Sequence, residues 1–374
     1  MIYLDNNATT PIDPRVREAM LPFLGEKFGN PSSPHSAGRA AREAVAKARG
    51  QVAALLGASE DSVIFTGGGT ESITTAVRGA LAAQPGKRHI VTSSLEHSAT
   101  KNLCEQVARE GCEVTWLRVD AGGRPDLAEY AAALRDDTAL VSVIWANNET
   151  GVIFPVEEMA QLADERRIVF HVDAVQAAGK ILIDLARAPA HLLSLAAHKF
   201  HGPKGVGALF VRPGLGLPPL LHGGGQESGR RAGTENVPGI VGLGVAAELA
   251  MSALPLEMPR VAALRDEFEG GVRARFPEAR FHGDPAHRLP NTTNFALPGR
   301  DAQGLLAGLD RLGVACSIGS ACTSGEVDAS HVLRAMGVGV DEARSSLRFS
   351  FSRMNAADEV PAALAALEQA AARL

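Results

Sequence analysis

Lys199 follows an apolar run and is followed at once by a glycine–proline turn, in Ser194-Leu195-Ala196-Ala197-His198-Lys199-Phe200-His201-Gly202-Pro203-Lys204-Gly205. An amine at the end of a buried strand can form an imine with an aldehyde, because burial and neighbouring cations lower its pKa from the free value of ~10.4. The plain alternative is a solvated surface lysine, which is how Lys204 reads. Upstream, His171-Val172-Asp173-Ala174-Val175-Gln176 sets a carboxylate directly after another apolar strand. Such a carboxylate is costly unless paired. A protonated ring nitrogen would suit Asp173, and Gln176 can donate to a ring hydroxyl; alternatively Asp173 simply caps the next helix. In Thr66-Gly67-Gly68-Gly69-Thr70-Glu71-Ser72 a strand runs through glycines into a helix. Glycines admit a phosphate close to the backbone, and the helix start offers free N–H groups, with the Thr70 hydroxyl beside them. The spacing is neither G-x-x-x-x-G-K-[ST] nor G-x-G-x-x-G, so nucleotide binding has little support, and a ligand-free turn remains open. In Ser93-Ser94-Leu95-Glu96-His97, the imidazole can stack on a flat ring and move protons near neutral pH, or can face solvent at a helix start.

Three of these clusters sit at the ends of predicted strands and the fourth, around His97, follows one, where open parallel sheets place ligands. Apolar segments at 63–66, 89–93, 113–117, 139–145, 168–172, 191–195 and 206–212 alternate with helical stretches such as 99–109 and 155–166. Near-continuous apolar strands between helices predict a mostly parallel, seven-stranded sheet covered on both faces. After about residue 255 the pattern becomes a long helix at 256–275, short strands near 279–282, 292–296, 314–317 and 346–350, and a terminal helix from 356, which reads as a smaller α+β domain. At 374 residues the chain exceeds one ordinary core, which predicts two domains with a concave site between them. Lys plus Arg is 37 against 42 Asp plus Glu, a net charge of −5, which argues against a nucleic-acid binder held by a basic face. No apolar run reaches the ~20 residues of a membrane span, and the N-terminus does not read as a signal peptide. A cytoplasmic protein is expected. The four cysteines form neither a disulfide framework nor a zinc site. Cys104, Cys112 and Cys316 read as packing, with Cys316 a lesser candidate for a backup thiol.

Several segments closely resemble the cysteine desulfurases of the NifS/IscS type, in the class V aminotransferase group. They are Tyr3-Leu4-Asp5-Asn6-Asn7-Ala8-Thr9-Thr10, Phe28-Gly29-Asn30-Pro31-Ser32-Ser33, Ala146-Asn147-Asn148-Glu149-Thr150-Gly151, Arg231-Ala232-Gly233-Thr234-Glu235-Asn236 and the runs around Gly69, Asp173 and Lys199. The resemblance implies fold type I of the pyridoxal 5'-phosphate enzymes: an N-terminal segment 1–14 packed on the small domain, a large domain 15–255 and a small domain 256–374. It places the cofactor's covalent link on Lys199, with Gly69, Thr70 and His198 at the phosphate and His97 over the ring. Asp173 falls at the ring nitrogen, with Asn148 and Gln176 near its hydroxyl. Thr234 would reach a phosphate in the partner subunit, which implies a homodimer. Arg348, with Asn148, would bind the substrate carboxylate, and a guanidinium offers a planar fork for one. Many relatives carry serine where Ala196 stands, so a phosphate contact must be lost here or supplied elsewhere, and somewhat weaker cofactor retention is expected, not a different reaction.

Cys322 lies in Gly319-Ser320-Ala321-Cys322-Thr323-Ser324-Gly325, small and polar on every side. A structural thiol would have apolar neighbours, and paired glycines mark a functional loop. By resemblance this is the active-site loop. L-cysteine is then the substrate: Lys199 removes its α-proton, His97 shuttles protons, Cys322 takes the sulfur as a persulfide, and L-alanine leaves. Acceptors would be an iron–sulfur scaffold, with Cys322 a transient iron–sulfur ligand, or tRNA-thiolation proteins. Rival readings are an aminotransferase or selenocysteine lyase of the same fold, and a non-catalytic assembly protein that has lost the cofactor.

Overall fold

The computed structural model describes residues 1–318 and 329–373. Strand β1 (Ile2–Tyr3) opens the chain, followed by α1 (Pro14–Leu24) and α2 (Ser36–Leu56). Alternation then begins: β2 (Val63–Thr66), α3 (Gly69–Ala83), β3 (His89–Ser93), α4 (Ser98–Arg109), β4 (Glu113–Leu117), α5 (Leu127–Ala133), β5 (Thr138–Ile144), α6 (Val156–Glu165), β6 (Val169–Asp173), β7 (Leu192–Ala196) and β8 (Gly207–Val211). These seven strands form one sheet in the order β2-β8-β7-β6-β5-β3-β4, and β8 alone runs antiparallel to its neighbours. Every residue of β5, β6 and β7 is buried, as expected for strands covered on both faces. The expected strands match to within a residue or so at each end.

The chain then enters α7 (Val237–Arg275). The sequence predicts a helix only at 256–275, which starts directly after Pro255 and already contains Pro259. The helix is nonetheless continuous through both prolines. Its first half packs on α1 and α2, and its second half puts Val261, Leu264, Phe268 and Val272 into a separate apolar cluster, so tertiary packing outweighs the lost backbone bonds. One 18-residue window of α7 is apolar enough to cross a membrane by length and composition, with mean hydropathy 1.7, but half of it is buried against protein.

Beyond α7 lie β9 (Arg280–Phe281), β10 (Thr292–Ala296), α8 (Ala302–Arg311), β11 (Val314–Ala315), α9 (His331–Ala335), α10 (Val340–Arg344), β12 (Ser346–Ser350) and α11 (Glu359–Ala371). Strands β12-β10-β9 form an antiparallel sheet, and β1 pairs in parallel with β11. The apolar cluster here gathers Leu4 from the N-terminus with residues drawn from 261–371, centred on Phe268, Phe295 and Phe349. The N-terminal segment thus packs into the C-terminal core, and then runs past β7, where Thr10 N–H donates to the His198 carbonyl at 2.9 Å.

The start of β8 holds the glycine turn after β2 in place. A Cβ on Gly207 would stand 2.5 Å from the Leu195 carbonyl oxygen and 2.8 Å from the Gly68 backbone, all groups that cannot rotate away. Gly207→Ala is therefore expected to destabilise the fold by about 1–3 kcal/mol, the usual range for overpacking. An unchanged midpoint in chemical denaturation would refute this.

Candidate active site

One cavity of about 600 Å³ opens at the C-terminal ends of β6 and β7 and the start of α3. Its lining includes Gly69, Thr70, His97, Asn148, Asp173, Gln176, His198 and Lys199. Eight residues singled out from five separate stretches of sequence therefore meet at one place. Parallel strands bring this about: β6 ends in Asp173, and β7 ends at Ala196, three residues before Lys199.

Lys199 Nζ donates to the Asn7 carbonyl at 2.7 Å and the Ala8 carbonyl at 2.9 Å. Neither acceptor carries full charge. Burial, aided by the Arg348 guanidinium and opposed by Asp173 and Asp5, pulls its pKa down to about 8. A useful share of free amine thus exists close to neutral pH. Lys204 is exposed, as expected.

Asp173 is buried, and among the described residues its carboxylate accepts only from Val175 N–H at 3.0 Å. Burial raises its pKa, while His97, that backbone bond and Lys199 oppose the rise. It therefore has capacity for a cationic partner. His97 is the N-cap of α4, and its Nδ1 accepts from Ala99 N–H at 3.1 Å. That bond leaves Nε2 as the donor of the neutral ring. The helix-start alternative and the cavity role thus coincide in one residue. Burial lowers the His97 pKa, partly offset by Asp173.

At the start of α3, Gly68 has φ +148° and Gly69 touches the cavity wall. A Cβ on Gly69 would stand 2.9 Å from Val175 Cγ2 and 3.7 Å from Ala196 Cβ, so it would fill the cradle. The first-turn N–H groups of a 15-residue helix have no intrahelical acceptor and carry its positive dipole end. This is an anion site in shape and charge. His198 sits beside it, its pKa lowered to about 4 by burial and by Lys199, Lys204 and Lys180, with Nδ1 3.2 Å from the Thr9 hydroxyl. Ala196 also lines the cavity and supplies no hydroxyl.

Asn148 reaches the cavity from a turn that Asn147 organises. Asn147 Oδ1 accepts from the N–H groups of Glu149 and Thr150, and its amide donates to the Leu95 carbonyl. Arg348 is close but does not line the cavity. Its Nη1 donates to the Asn148 carbonyl at 2.9 Å, its Nη2 to Asp5 at 2.6 Å, and its buried Nε has no partner among the described residues. Thr234 lies elsewhere on this chain. It lines a second cavity with Gly67, Gly205 and Asn236, on the outer side of the glycine turn. Cys322 lies outside the described residues. Cys104 and Cys316 are buried and Cys112 half-buried; burial pushes Cys104 up to about 12 and raises Cys316 as well, so both are packing thiols.

Three buried ionisable side chains escape a motif search. Glu96 accepts from Ser93 Oγ at 2.6 Å and Ile144 N–H at 3.0 Å, and burial pushes its pKa up to about 8. It ties the turn that carries His97 to the end of β5. Glu149 accepts from Ser330 Oγ at 2.5 Å, with its pKa pushed up to about 7 by burial. Lys180 donates to Gln176. A lone charge within an apolar stretch, Ala177-Ala178-Gly179-Lys180-Ile181-Leu182, is the signal that marks it.

The chain matches the aminotransferase class-V family over residues 2–362 and belongs to it. It is 52% identical over 360 residues to cysteine desulfurase NifS of Azotobacter vinelandii, covering 96% of this chain and 90% of that one. A solved NifS-like protein superposes with a TM-score of 0.94 at 37% identity, with both chains fully covered. SspA, solved in complex with cysteine, superposes with a TM-score of 0.84 at 35% identity, covering 95% of this chain and all of that one.

The lowered Lys199 pKa has a direct consequence. Labelling of Lys199 in the cofactor-free protein by an amine reagent should rise with pH through a midpoint near 8, since only the unprotonated amine reacts. Surface lysines should titrate near ~10.4 in the same sample. A Lys199 midpoint at or above 10, read by mass spectrometry of the labelled peptide, would contradict the environment described.

Proposed function

We propose that this chain is a pyridoxal 5'-phosphate-dependent cysteine desulfurase of the cytoplasm, which takes sulfur from L-cysteine, releases L-alanine and retains the sulfur as a persulfide on Cys322. The observation that carries this reading is the meeting of Lys199, Asp173, His97 and the α3 cradle in one cavity of about 600 Å³. The cofactor fits the donor set. The N–H groups at Gly69 and Thr70 would hold its phosphate, Lys199 would bind its aldehyde carbon, and Asp173, short of partners, would hold its ring nitrogen. Asn148 and Gln176 would flank the ring hydroxyl.

Bound there, the cofactor supplies an electron sink for charge developing at the substrate α-carbon. The chain's own residues do the rest. Lys199, with its pKa drawn down to about 8, is a base matched to an α-proton near neutral pH. Asp173 keeps a proton on the ring nitrogen. His97 presents Nε2 as proton donor or acceptor, its ring fixed through Nδ1. Arg348 would engage the substrate carboxylate, with its free Nε and its grip on the Asn148 carbonyl placing charge beside the cavity. The Cys322 thiolate attacks the substrate sulfur. A sulfur–sulfur bond forms, the carbon–sulfur bond breaks with its electron pair going to the carbon skeleton, and protonation there completes alanine.

The assignment to Cys322 rests on its sequence setting and on the described residues flanking it. Ser317 exchanges backbone hydrogen bonds with Arg348, and Ser330 and His331 bond to Glu149 and the Glu96 carbonyl. The described residues on either side of 319–328 are therefore held close to the cavity. A homodimer is supported by Thr234, which lies away from its own chain's cavity, and by the exposed apolar side chains Leu24 and Phe28. The persulfide would pass to an iron–sulfur scaffold, where Cys322 would serve as a transient ligand, or to another sulfur-acceptor protein.

Cys322→Ala should leave the protein yellow with cofactor yet lower alanine release from L-cysteine by at least a hundredfold. Full release in that variant, without added keto acid, would overturn the scheme. Ala196→Ser restores a hydroxyl at the cradle wall. It should slow cofactor loss on dialysis severalfold, about the size of one hydrogen bond to a charged group; equal or faster loss would remove Ala196 from the account.

A further inference from the structure

Lys180 is buried, 7% exposed, and no described carboxylate pairs with it. A buried ammonium without a counter-ion is costly. Burial, with the charges of Lys199 and Arg348 adding to it, holds this amine well below its ordinary range. Lys180 Nζ donates to the Gln176 backbone carbonyl at 3.0 Å and to Gln176 Oε1 at 2.8 Å. The chain returns to this position through Gly179, which has φ +73° and whose Cβ would stand 2.8 Å from Phe200 Cβ. The turn is thus built to bring Lys180 back under Gln176.

The other end of the same amide is fixed as well. Gln176 Nε2 donates to the Asn7 carbonyl at 2.9 Å. Turned over, the amide would set its oxygen against that carbonyl and its NH2 against the Lys180 donors. With Oε1 turned to Lys180 and one N–H given to Asn7, Gln176 keeps its second N–H as a donor for the cavity it lines.

We propose that Lys180 is a positioning residue which fixes the Gln176 amide in the orientation that offers the cavity an N–H donor. This rests on the reading of the cavity as the pyridoxal phosphate site. There, a fixed N–H donor beside the ring hydroxyl oxygen stabilises that oxygen in its ionised form and lowers the proton affinity of the chromophore. Lys180 touches neither cofactor nor substrate, and its effect passes through Gln176.

The test is a pH titration of the visible absorption of the holoenzyme, in wild type, Lys180→Met, Gln176→Leu and the double variant. Methionine matches the lysine stem in length and suits a lining that includes Phe200, Met258, Val261 and Phe351. Lys180→Met should raise the midpoint by about 0.5 to 1 pH unit, the size of one hydrogen bond. In the Gln176→Leu background the same change should add nothing. Lys180→Ala carries the same comparison should the methionine variant not fold. An unmoved midpoint, or an equal shift in both backgrounds, would overturn the proposal. A wild type that takes up added cofactor without any visible band would overturn the cofactor reading itself, which separates the two failures.

Discussion

The carbonyl of Asn7 is where the two parts of the molecule are tied together at the site. It accepts from Lys199 Nζ and from Gln176 Nε2, both at the sheet's C-terminal edge. The rest of the same residue faces the other way. Its backbone N–H donates to Ser350 Oγ, its side-chain amide to Thr292 Oγ1 and the Asn148 carbonyl, and its Oδ1 accepts from Asn291. Ser350 and Thr292 belong to the small sheet, while Lys199 and Gln176 follow strands of the large one. A single fully buried asparagine thus satisfies polar groups that would otherwise be stranded between two apolar clusters. The position of the amine relative to the cavity follows from how the N-terminal segment is threaded.

Around that node three ionisable groups are held without a direct ionic partner among the described residues. Lys199 rests on neutral carbonyls, Asp173 on one backbone N–H, and Lys180 on an amide. A direct Lys199–Asp173 pair would hold both groups in their charged forms and raise the lysine pKa. Keeping them apart lets burial act on each, so the amine falls to about 8 and the carboxyl rises. The rows of hydroxyls across the sheet serve the same end. His171 lies between Ser142 Oγ and Ser194 Oγ, both at 2.8 Å, and burial takes its pKa down to about 3. A neutral imidazole there crosses β5, β6 and β7 without adding charge beneath Asp173.

Gly207→Ala and the Lys199 labelling profile probe features of unequal visibility in the sequence. The parallel sheet was plain, since strands buried on both faces are unbroken apolar runs. Lys199, Asp173 and the α3 cradle were plain because each ends such a run. The length of α7 was not, because a proline at 255 disfavours a helix locally while the packing that carries the helix through it comes from residues far along the chain. Glu96, Glu149 and Lys180 were hidden for a related reason. Each is a buried ionisable group whose partner lies on another element or across a turn, and only Lys180, alone in an apolar stretch, differs in its local pattern from a solvated charge. Thr234 was legible as a residue of interest, but its distance from the cavity of its own chain is a property of the fold alone.

Arg348 links the turn 147–150 to Ser317, which precedes the segment 319–328 in the chain. Its side chain clasps Asp5 and the Asn148 carbonyl, while its backbone exchanges hydrogen bonds with Ser317, at 2.7 and 3.0 Å. On the far side of the segment, Ser330 is bonded to Glu149, the residue next to Asn148. The turn 147–150 is therefore gripped from one flank by Arg348 and from the other by Ser330. A negative charge arriving at Arg348 competes with Asp5 for the guanidinium, and any resulting shift of Arg348 acts on the Asn148 carbonyl and on Ser317 together. The turn 147–150 and the described residues on either side of the segment 319–328 thus depend on the same few hydrogen bonds.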